Sequence, residues 1–386
     1  MNKIIYKIGE ISQIFSGGDR PKICSDVRTA ECSIPIFSNG LDEDGLYGYT
    51  NKAQIEGDCI TVSARGANIG VVFYRDEPFL PIVRLLSVVP NRKKIDSKYL
   101  YYYFKTDKII GTGFAQPQIT IPFFQKKKIF VYENLATQQK IAHILSRYDE
   151  AIENNNKRIK LLEQMVQNLY KEWFVRFRFP GYENCEFENG IPVGWEIKRA
   201  QEIFDITIGR TPDRKQFEYF TNNEQDILWV SISDMKDNIF ISKSFEYLTN
   251  EAVKKVNMPM VKADTVLLSF KLSVGRVSIT TKLCCTNEAI AHCNTNDKDL
   301  LEYSYLYLKL FNYQNLGNTS AIGTAINSTI IKNMKVVVPN RKLIEMFHNS
   351  TKDIFAIIKK LNYSNENLAK QRDLLLPRLM SGKLEV

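Results

Sequence analysis

Apolar positions along the chain follow two different periods. Between residues 141 and 173, Ile141, Leu145, Tyr148, Ile152, Asn155, Ile159, Leu162, Val166, Leu169 and Trp173 recur at alternating steps of four and three. That is a heptad seam, which buries one stripe of a long helix against another helix. The pattern predicts a helix from Asn134 to Phe179, free of Gly and Pro and ended by Pro180-Gly181. At about 1.5 Å per residue, some 40 residues make a rod of roughly 60 Å. A rod that long must connect other parts or brace against something.

The same seam returns as Phe347, Thr351, Ile354, Ile358, Leu361, Asn365, Leu368, Arg372, Leu375 and Leu379, each 206 residues after its counterpart. Asn134 and Asn340 keep the same offset and suit the N-caps of the two helices. An internal repeat of this size sets the plan of the chain.

Outside the rods the patterning is shorter. In residues 1–134, Tyr6–Phe15 is amphipathic, and Gly17–Pro21 is a loop. Ile34–Phe37 and Gly70–Tyr74 are strands, Gly57–Ser63 is a turn then a strand, Ser97–Phe104 starts a Tyr-rich helix, and Ile129–Val131 is a strand entering the first rod. Residues 183–339 repeat that order with Trp195–Phe204, Gly209–Pro212, Ile227–Ser231, Asp264–Ser269, Gly275–Ile279, Tyr305–Tyr307 and Val336–Val338. The expected fold is α+β, as four segments: globule 1–134, rod 135–182, globule 183–339, rod 340–386. Two like frames with different surfaces suggest two readers of different things.

Charge narrows the partners. The net charge is +9, and most of the excess lies in the two rod segments, while 183–339 is slightly acidic. A basic chain suits an anionic partner through local patches. Seven cysteines without a C-x-x-C point to reduced thiols in a cytoplasm. Cys284, Cys285 and Cys293 beside His292 fit no zinc spacing, and buried strand cysteines are the simpler reading. No apolar run is long enough to cross a membrane, so no membrane partner is expected. There is no P-loop, no Gly-rich cofactor loop and no methyltransferase motif of the Asn-Pro-Pro-Tyr type. Pro212-Asp213 has no Glu-x-Lys following it at nuclease range. No catalytic residue, metal or cofactor is expected.

Three stretches carry a family resemblance. Leu169–Pro180 (LYKEWFVRFRFP), Ile191–Glu196 (IPVGWE) and Arg372–Gly382 (RDLLLPRLMSG) resemble the specificity subunits of type I restriction–modification enzymes. Gly209-x-Thr211-Pro212 and Ser63-x-x-Gly66 match its framework, whereas Gly18-Asp19-Arg20-Pro21 departs from the usual G-x-T-P loop. The resemblance implies two mixed α/β target-recognition domains, each reading half of a bipartite, asymmetric site in double-stranded DNA. It implies two long helices paired as an antiparallel coiled coil, with a pseudo-two-fold repeat. Two methyltransferase subunits would dock on the helices and motor-nuclease subunits would join them, the chain itself doing no chemistry. Half-site centres about one helical turn, about 10 bp, apart would follow. The competing reading is a protein–protein scaffold in which a coiled-coil spacer carries two β modules.

Base readers should be polar or basic side chains on loops at strand ends. The first globule offers Arg20, Ser38, Asn39, Arg65, Asn68, Gln116 and Gln118. The second offers Arg210, Thr211, Arg214, Ser231, Ser233, Lys271, Ser273 and Arg276. Lys126–Lys128 reads as a solvated run, and Trp173, Phe174 and Phe177 as packing residues. Pairing the seam amides Asn155 and Asn365 sets facing residue numbers to a sum of 520, because a lone amide among apolar groups costs about 1–3 kcal/mol. Ile152 then meets Leu368, Ile159 meets Leu361, Leu162 meets Ile358, Val166 meets Ile354, Leu145 meets Leu375, and Trp173 meets Phe347. Tyr148 would meet Arg372, the charge accommodated by a cation–π contact or by snorkelling. Pro377 should break the second helix near its end.

Overall fold

The computed structural model describes residues 2–107, 109–111, 117–236, 238–316, 319–320, 323–324 and 326–386. It forms two compact units, Met1–Asn154 with Asn365–Val386, and Asn155–Ser364. The divisions fall inside the two long helices rather than at their ends.

In the first unit the elements are β1 (Lys3–Lys7), α1 (Ile8–Ile11), β2 (Ser12–Ser16), β3 (Ile34–Phe37), β4 (Leu46–Thr50), β5 (Cys59–Val62), β6 (Val72–Arg75), β7 (Leu80–Pro81), β8 (Leu86–Pro90), α2 (Ser97–Thr106), α3 (Ile121–Lys126), β9 (Lys128–Tyr132) and the long α4 (Leu135–Tyr170). The Tyr6–Phe15 stretch is therefore strand, single turn, strand. The Glu10 carboxylate accepts from the Lys7 N–H at 2.8 Å and the Ser12 hydroxyl donates to Ile8 O at 2.7 Å, which closes the turn and buries Ile8 and Ile11. An antiparallel sheet runs β2-β8-β5-β6, a mixed sheet runs β4-β3-β7, and β1 pairs antiparallel with β9. The central strand β8 (LSVVP) is buried on both faces apart from the half-buried Val89 and shows no inside–outside alternation, and that is why the sequence pattern does not single it out.

The second unit continues α4 into a wide π-helical last turn at Lys171–Val175, so the helix ends short of Phe179. It then builds β10 (Phe187–Glu188), β11 (Ile191–Pro192), β12 (Glu196–Arg199), α5 (Ala200–Ile203), β13 (Asp205–Ile208), β14 (Phe220–Thr221), β15 (Ile227–Val230), β16 (Phe240–Ile241), β17 (Glu246–Leu248), α6 (Asn250–Lys255), β18 (Val266–Ser269), β19 (Val277–Thr280), β20 (Cys284–Thr286), β21 (Ile290–Asn294), α7 (Leu301–Leu310), β22 (Thr319–Ser320), β23 (Gly323–Thr324), α8 (Ser328–Asn333), β24 (Lys335–Val338) and α9 (Arg341–Ser381). The sheet β13-β21-β18-β19 has the order of β2-β8-β5-β6, extended by β16. The parallel pair β15·β20 answers β3·β7, and β12·β24 answers β1·β9.

Both expected caps are made. The Asn134 side chain accepts from Ala136 N–H at 2.8 Å, and that of Asn340 from Leu343 N–H at 3.0 Å. In the second unit Trp173, Tyr170 and Phe174 surround the buried Phe347 ring at 5.6, 6.2 and 4.9 Å, the layer that a sum of 520 requires. Ile159, Val166, Ile358 and Leu361 share that core, as do the partly buried Leu162 and Ile354. Phe177 packs edge-on against Trp195 at 5.5 Å. The polar seam residue Thr351 is fully buried and donates to Phe347 O at 2.8 Å within its own helix, so it needs no partner across the seam.

In the first unit Ile141, Leu145, Leu375 and Leu379 share one core. Two expectations there are corrected. Arg372 meets the Asp149 carboxylate in an ion pair rather than the Tyr148 ring, and the other Asp149 oxygen accepts from the Tyr102 hydroxyl at 2.5 Å. Pro377 does not break α9, which continues to Ser381. The last turn is held from outside: Leu379 and Met380 are buried, the Tyr132 hydroxyl donates to Leu379 O at 3.0 Å, and Lys3 Nζ donates to Met380 O at 2.6 Å. That packing outweighs a proline penalty of about 3 kcal/mol.

The Asp149–Arg372 pair is mostly shielded, with side-chain exposures of 30% and 18%. Asp149→Ala leaves the Tyr102 hydroxyl without its acceptor and the Arg372 guanidinium with only the exposed Asp373 carboxylate, and we expect a loss of about 2 kcal/mol in the stability of the first unit. Denaturant titration of the variant against wild type measures it, and an unchanged midpoint refutes the role.

Candidate nucleic-acid interface

In each unit the loops at one end of the main sheet are tied by one backbone frame. Gly17 N–H donates to Leu85 O at 2.8 Å, Gly18 N–H to Pro81 O at 3.3 Å, and Ile82 N–H to Phe37 O at 2.9 Å. In the second unit Gly209 N–H donates to Ile290 O at 3.1 Å, Arg210 N–H to Thr286 O at 2.9 Å, and Asn287 N–H to Val230 O at 3.0 Å. The approach admits only glycine. A Cβ on Gly17 would lie 2.7 Å from the Pro81 carbonyl carbon, and one on Gly209 would lie 2.2 Å from Asn287 O. A second turn repeats too: Ser63 bonds Val71 and Gly70, and Ser269 bonds Arg276 and Gly275.

On this frame several of the expected readers make hydrogen bonds within the chain. The Asn39 side chain donates to Val83 O at 2.7 Å and accepts from Ala64 N–H at 3.3 Å, while Asn68 donates to Asn39 O at 3.0 Å. Those bonds join three loops. The Ser38 hydroxyl accepts weakly from Gly40 N–H at 3.4 Å. Buried Arg75 supports the same loop, donating to Asp44 O at 2.5 Å with its guanidinium 3.6 Å over the Phe37 ring; burial lowers it to about 10. Arg20 donates to Cys24 Sγ at 3.0 Å and lies 5.4 Å over Tyr47. Gln118 is half-buried and its backbone bridges to Arg65; Gln116 lies outside the described residues.

Arg65 is exposed, and so is Arg84, which the sequence reading missed. Among the described residues neither has an ion pair or a hydrogen-bonded partner. Arg84 stands with Val83 at positive φ, 57° and 52°, on the turn entering β8. A turn opening directly into that strand was the available signal.

The second unit puts different chemistry on the same frame. Glu288 takes the position of Val83. The Thr211 hydroxyl bonds the Glu288 carboxylate and holds it below the usual carboxylate range, with Lys271 and Arg214 adding favourable charge. Arg214 pairs with Glu246 at 2.7 Å and stacks 4.4 Å over Phe220 and 4.7 Å over Trp229. Arg210 donates to Val256 O at 2.7 Å and Arg276 to Ile232 O at 2.9 Å, so both brace loops. Ser231 bonds Ser233 at 2.6 Å and the Asp234 carboxylate at 2.5 Å. Ser273 O caps the β18–β19 turn by accepting from the Ser269 hydroxyl. Lys271 is exposed beside Leu272 at the tip of that turn.

A model of the type I restriction modification DNA specificity domain matches residues 3–164 and 192–375, twice over in one chain. The chain belongs to that family. It is similar to the MjaIX type I restriction enzyme specificity subunit of Methanocaldococcus jannaschii, 28% identical over 374 residues that cover 92% of this chain and 80% of the relative. It is also similar to the HindI specificity subunit of Haemophilus influenzae, 24% identical over 416 residues, covering 88% and 89%. The solved S subunit of a type I restriction-modification system from M. genitalium has the same fold, with a TM-score of 0.62 at 15% identity over 98% of this chain and 96% of that one.

His292 lies beneath the second frame, fully buried. Its Nδ1 is 2.8 Å from Thr207 Oγ1 and its Nε2 is 2.7 Å from Thr286 Oγ1, so it links β13 to the residue that receives Arg210 N–H. Both nitrogens are engaged by hydroxyls, while burial pushes the thiols of Cys284, Cys285 and Cys293 up to about 12. Burial also lowers His292 to about 4 from an ordinary 6.5. Because the unfolded chain protonates first, this group's stabilisation is complete above pH 6.5 and is lost as pH falls towards 4. The loss is on the order of 3 kcal/mol. Denaturation of wild type and His292→Gln across that window should show the steeper decline in wild type, and parallel curves refute the assignment.

Proposed function

We propose that this chain is the non-catalytic DNA-reading subunit of a cytoplasmic type I restriction–modification complex. The observation that carries the reading is the duplicated loop frame: equivalent backbone bonds at Gly17 and Gly209 present Val83 and Arg84 in one unit, and Glu288 in the other. Two like platforms with unlike side chains suit two unlike halves of one asymmetric site. Arginine serves phosphate oxygens or guanine, and a carboxylate accepts from a cytosine amino group. In this reading 1–134 and 183–339 are the readers, and 135–182 and 340–386 are spacers pairing as an antiparallel coiled coil, in support of which stand the Trp173–Phe347 and Asp149–Arg372 layers. The basic helices dock two methyltransferase subunits, and motor-nuclease subunits join that assembly.

Methylation mapping with the assembled complex tests the split. Exchange of 183–339 for the matching segment of a relative should change one half of the methylated site and leave the other; a change in both halves, or in neither, overturns the modular reading. Replacement of Arg65 and Arg84 together by Ala should weaken duplex binding by roughly tenfold or more and flatten its dependence on salt. A scaffold with no DNA role would show neither effect, and unchanged binding by filter titration would rule out these two side chains as contacts.

A further inference from the structure

The β18–β19 turn of the second unit holds an apolar side chain where solvent and backbone both disfavour it. Leu272 is 97% exposed, the most exposed large hydrophobic side chain among the described residues, and its φ is 60°. Left-handed backbone suits glycine, and the equivalent residue of the first unit, also three after the turn's serine, is Gly66 with φ 79°. The turn itself therefore has no need of leucine.

Nor is the tip loosely held. Gly275 N–H donates to Ser269 O at 3.0 Å, Arg276 N–H to Ser269 Oγ at 3.0 Å, and the Ser269 hydroxyl to Ser273 O. The base is packed as well, since a Cβ on Gly275 would lie 2.9 Å from the Tyr313 ring. Lys271 precedes the leucine, and Lys271 and Arg214 act together on the Glu288 carboxylate. The exposed isobutyl group thus stands beside the exposed Lys271 on a turn whose base is held, without an apolar neighbour to bury it. An exposed residue kept in strained backbone points to a use outside the chain.

Resting on the DNA-reading function above, we infer that Leu272 determines specificity in the second half-site by packing against the C5-methyl group of a thymine. That methyl is the apolar group the major groove offers among its donors and acceptors, and only an A·T pair carries it.

The test uses the full chain assembled with its methyltransferase subunits and a duplex bearing the methylation-mapped site. Each thymine of the second half-site is replaced in turn by uracil, which removes only the methyl. One replacement should weaken binding by on the order of fourfold, the effect of one methyl leaving an apolar contact. In the Leu272→Ala complex the same replacement should have no effect. Leu272→Gly, which relieves the backbone, should behave like Leu272→Ala and so excludes a folding defect as the cause. A sequence-specific wild-type complex indifferent to uracil at every position, or a half-site without thymine, overturns this inference alone. So does a uracil penalty that persists in Leu272→Ala. If a 2-aminopurine beside the tip brightens on binding while uracil is tolerated, Leu272 is a wedge between base steps and the methyl contact is wrong. A complex without any sequence preference would overturn the DNA-reading function itself.

Discussion

Each recognition loop leaving the second strand of a unit must pass against the turn that enters the central strand. The gap there is closed by backbone bonds at Gly17 and Gly209, with no room for a Cβ. This close approach sets the height and direction of every neighbouring loop. Asn39 and Asn68 knit three of them in one unit, and Arg210, Arg276 and the Ser231–Asp234 network do so in the other. The unit can vary its surface because its frame is built from main chain, whose bonds do not depend on which side chains stand above it.

A division of labour follows among the polar residues. Those with the best geometry for reading a base are largely consumed internally, since a loop without regular structure must satisfy its own polar groups or lose them to water. Arg65, Arg84, Lys271 and Leu272 stand exposed at turn tips, whereas the exposed Glu288 carboxylate bonds the Thr211 hydroxyl.

The long helices were the most legible part of the chain. Their seams, N-cap asparagines and 206-residue offset follow from a strict period, which few alternative folds can satisfy. Order and repetition of the globules were legible for the same reason: two copies check one another. The central strands β8 and β21 were less visible, because a strand buried on both faces has no alternation to show. Pro377 misled the reading because a local rule yields to the packing of Leu379 and Met380 around it. At the interface, residue type suggested Asn39 and Arg210 as readers, but whether an amide or guanidinium is spent depends on carbonyls that are distant in sequence. Glu288 and Leu272 were passed over since neither is a usual contact residue by composition.

The placement of the divisions within the long helices bears on how the protein comes to exist at all. The unit spanning Asn155–Ser364 is one unbroken length of chain, whereas the other needs Asn365–Val386 to return to Met1–Asn154. Synthesis proceeds from the N-terminus, so the segment made first waits longest for its missing part. Its seam residues Ile141 and Leu145, and the Asp149 carboxylate, stay uncovered until Leu376, Leu379 and Arg372 have left the ribosome. Domains made in order usually fold in order; here the later-encoded unit is the first that can close, and the earlier one depends on Asn365–Val386, translated after it.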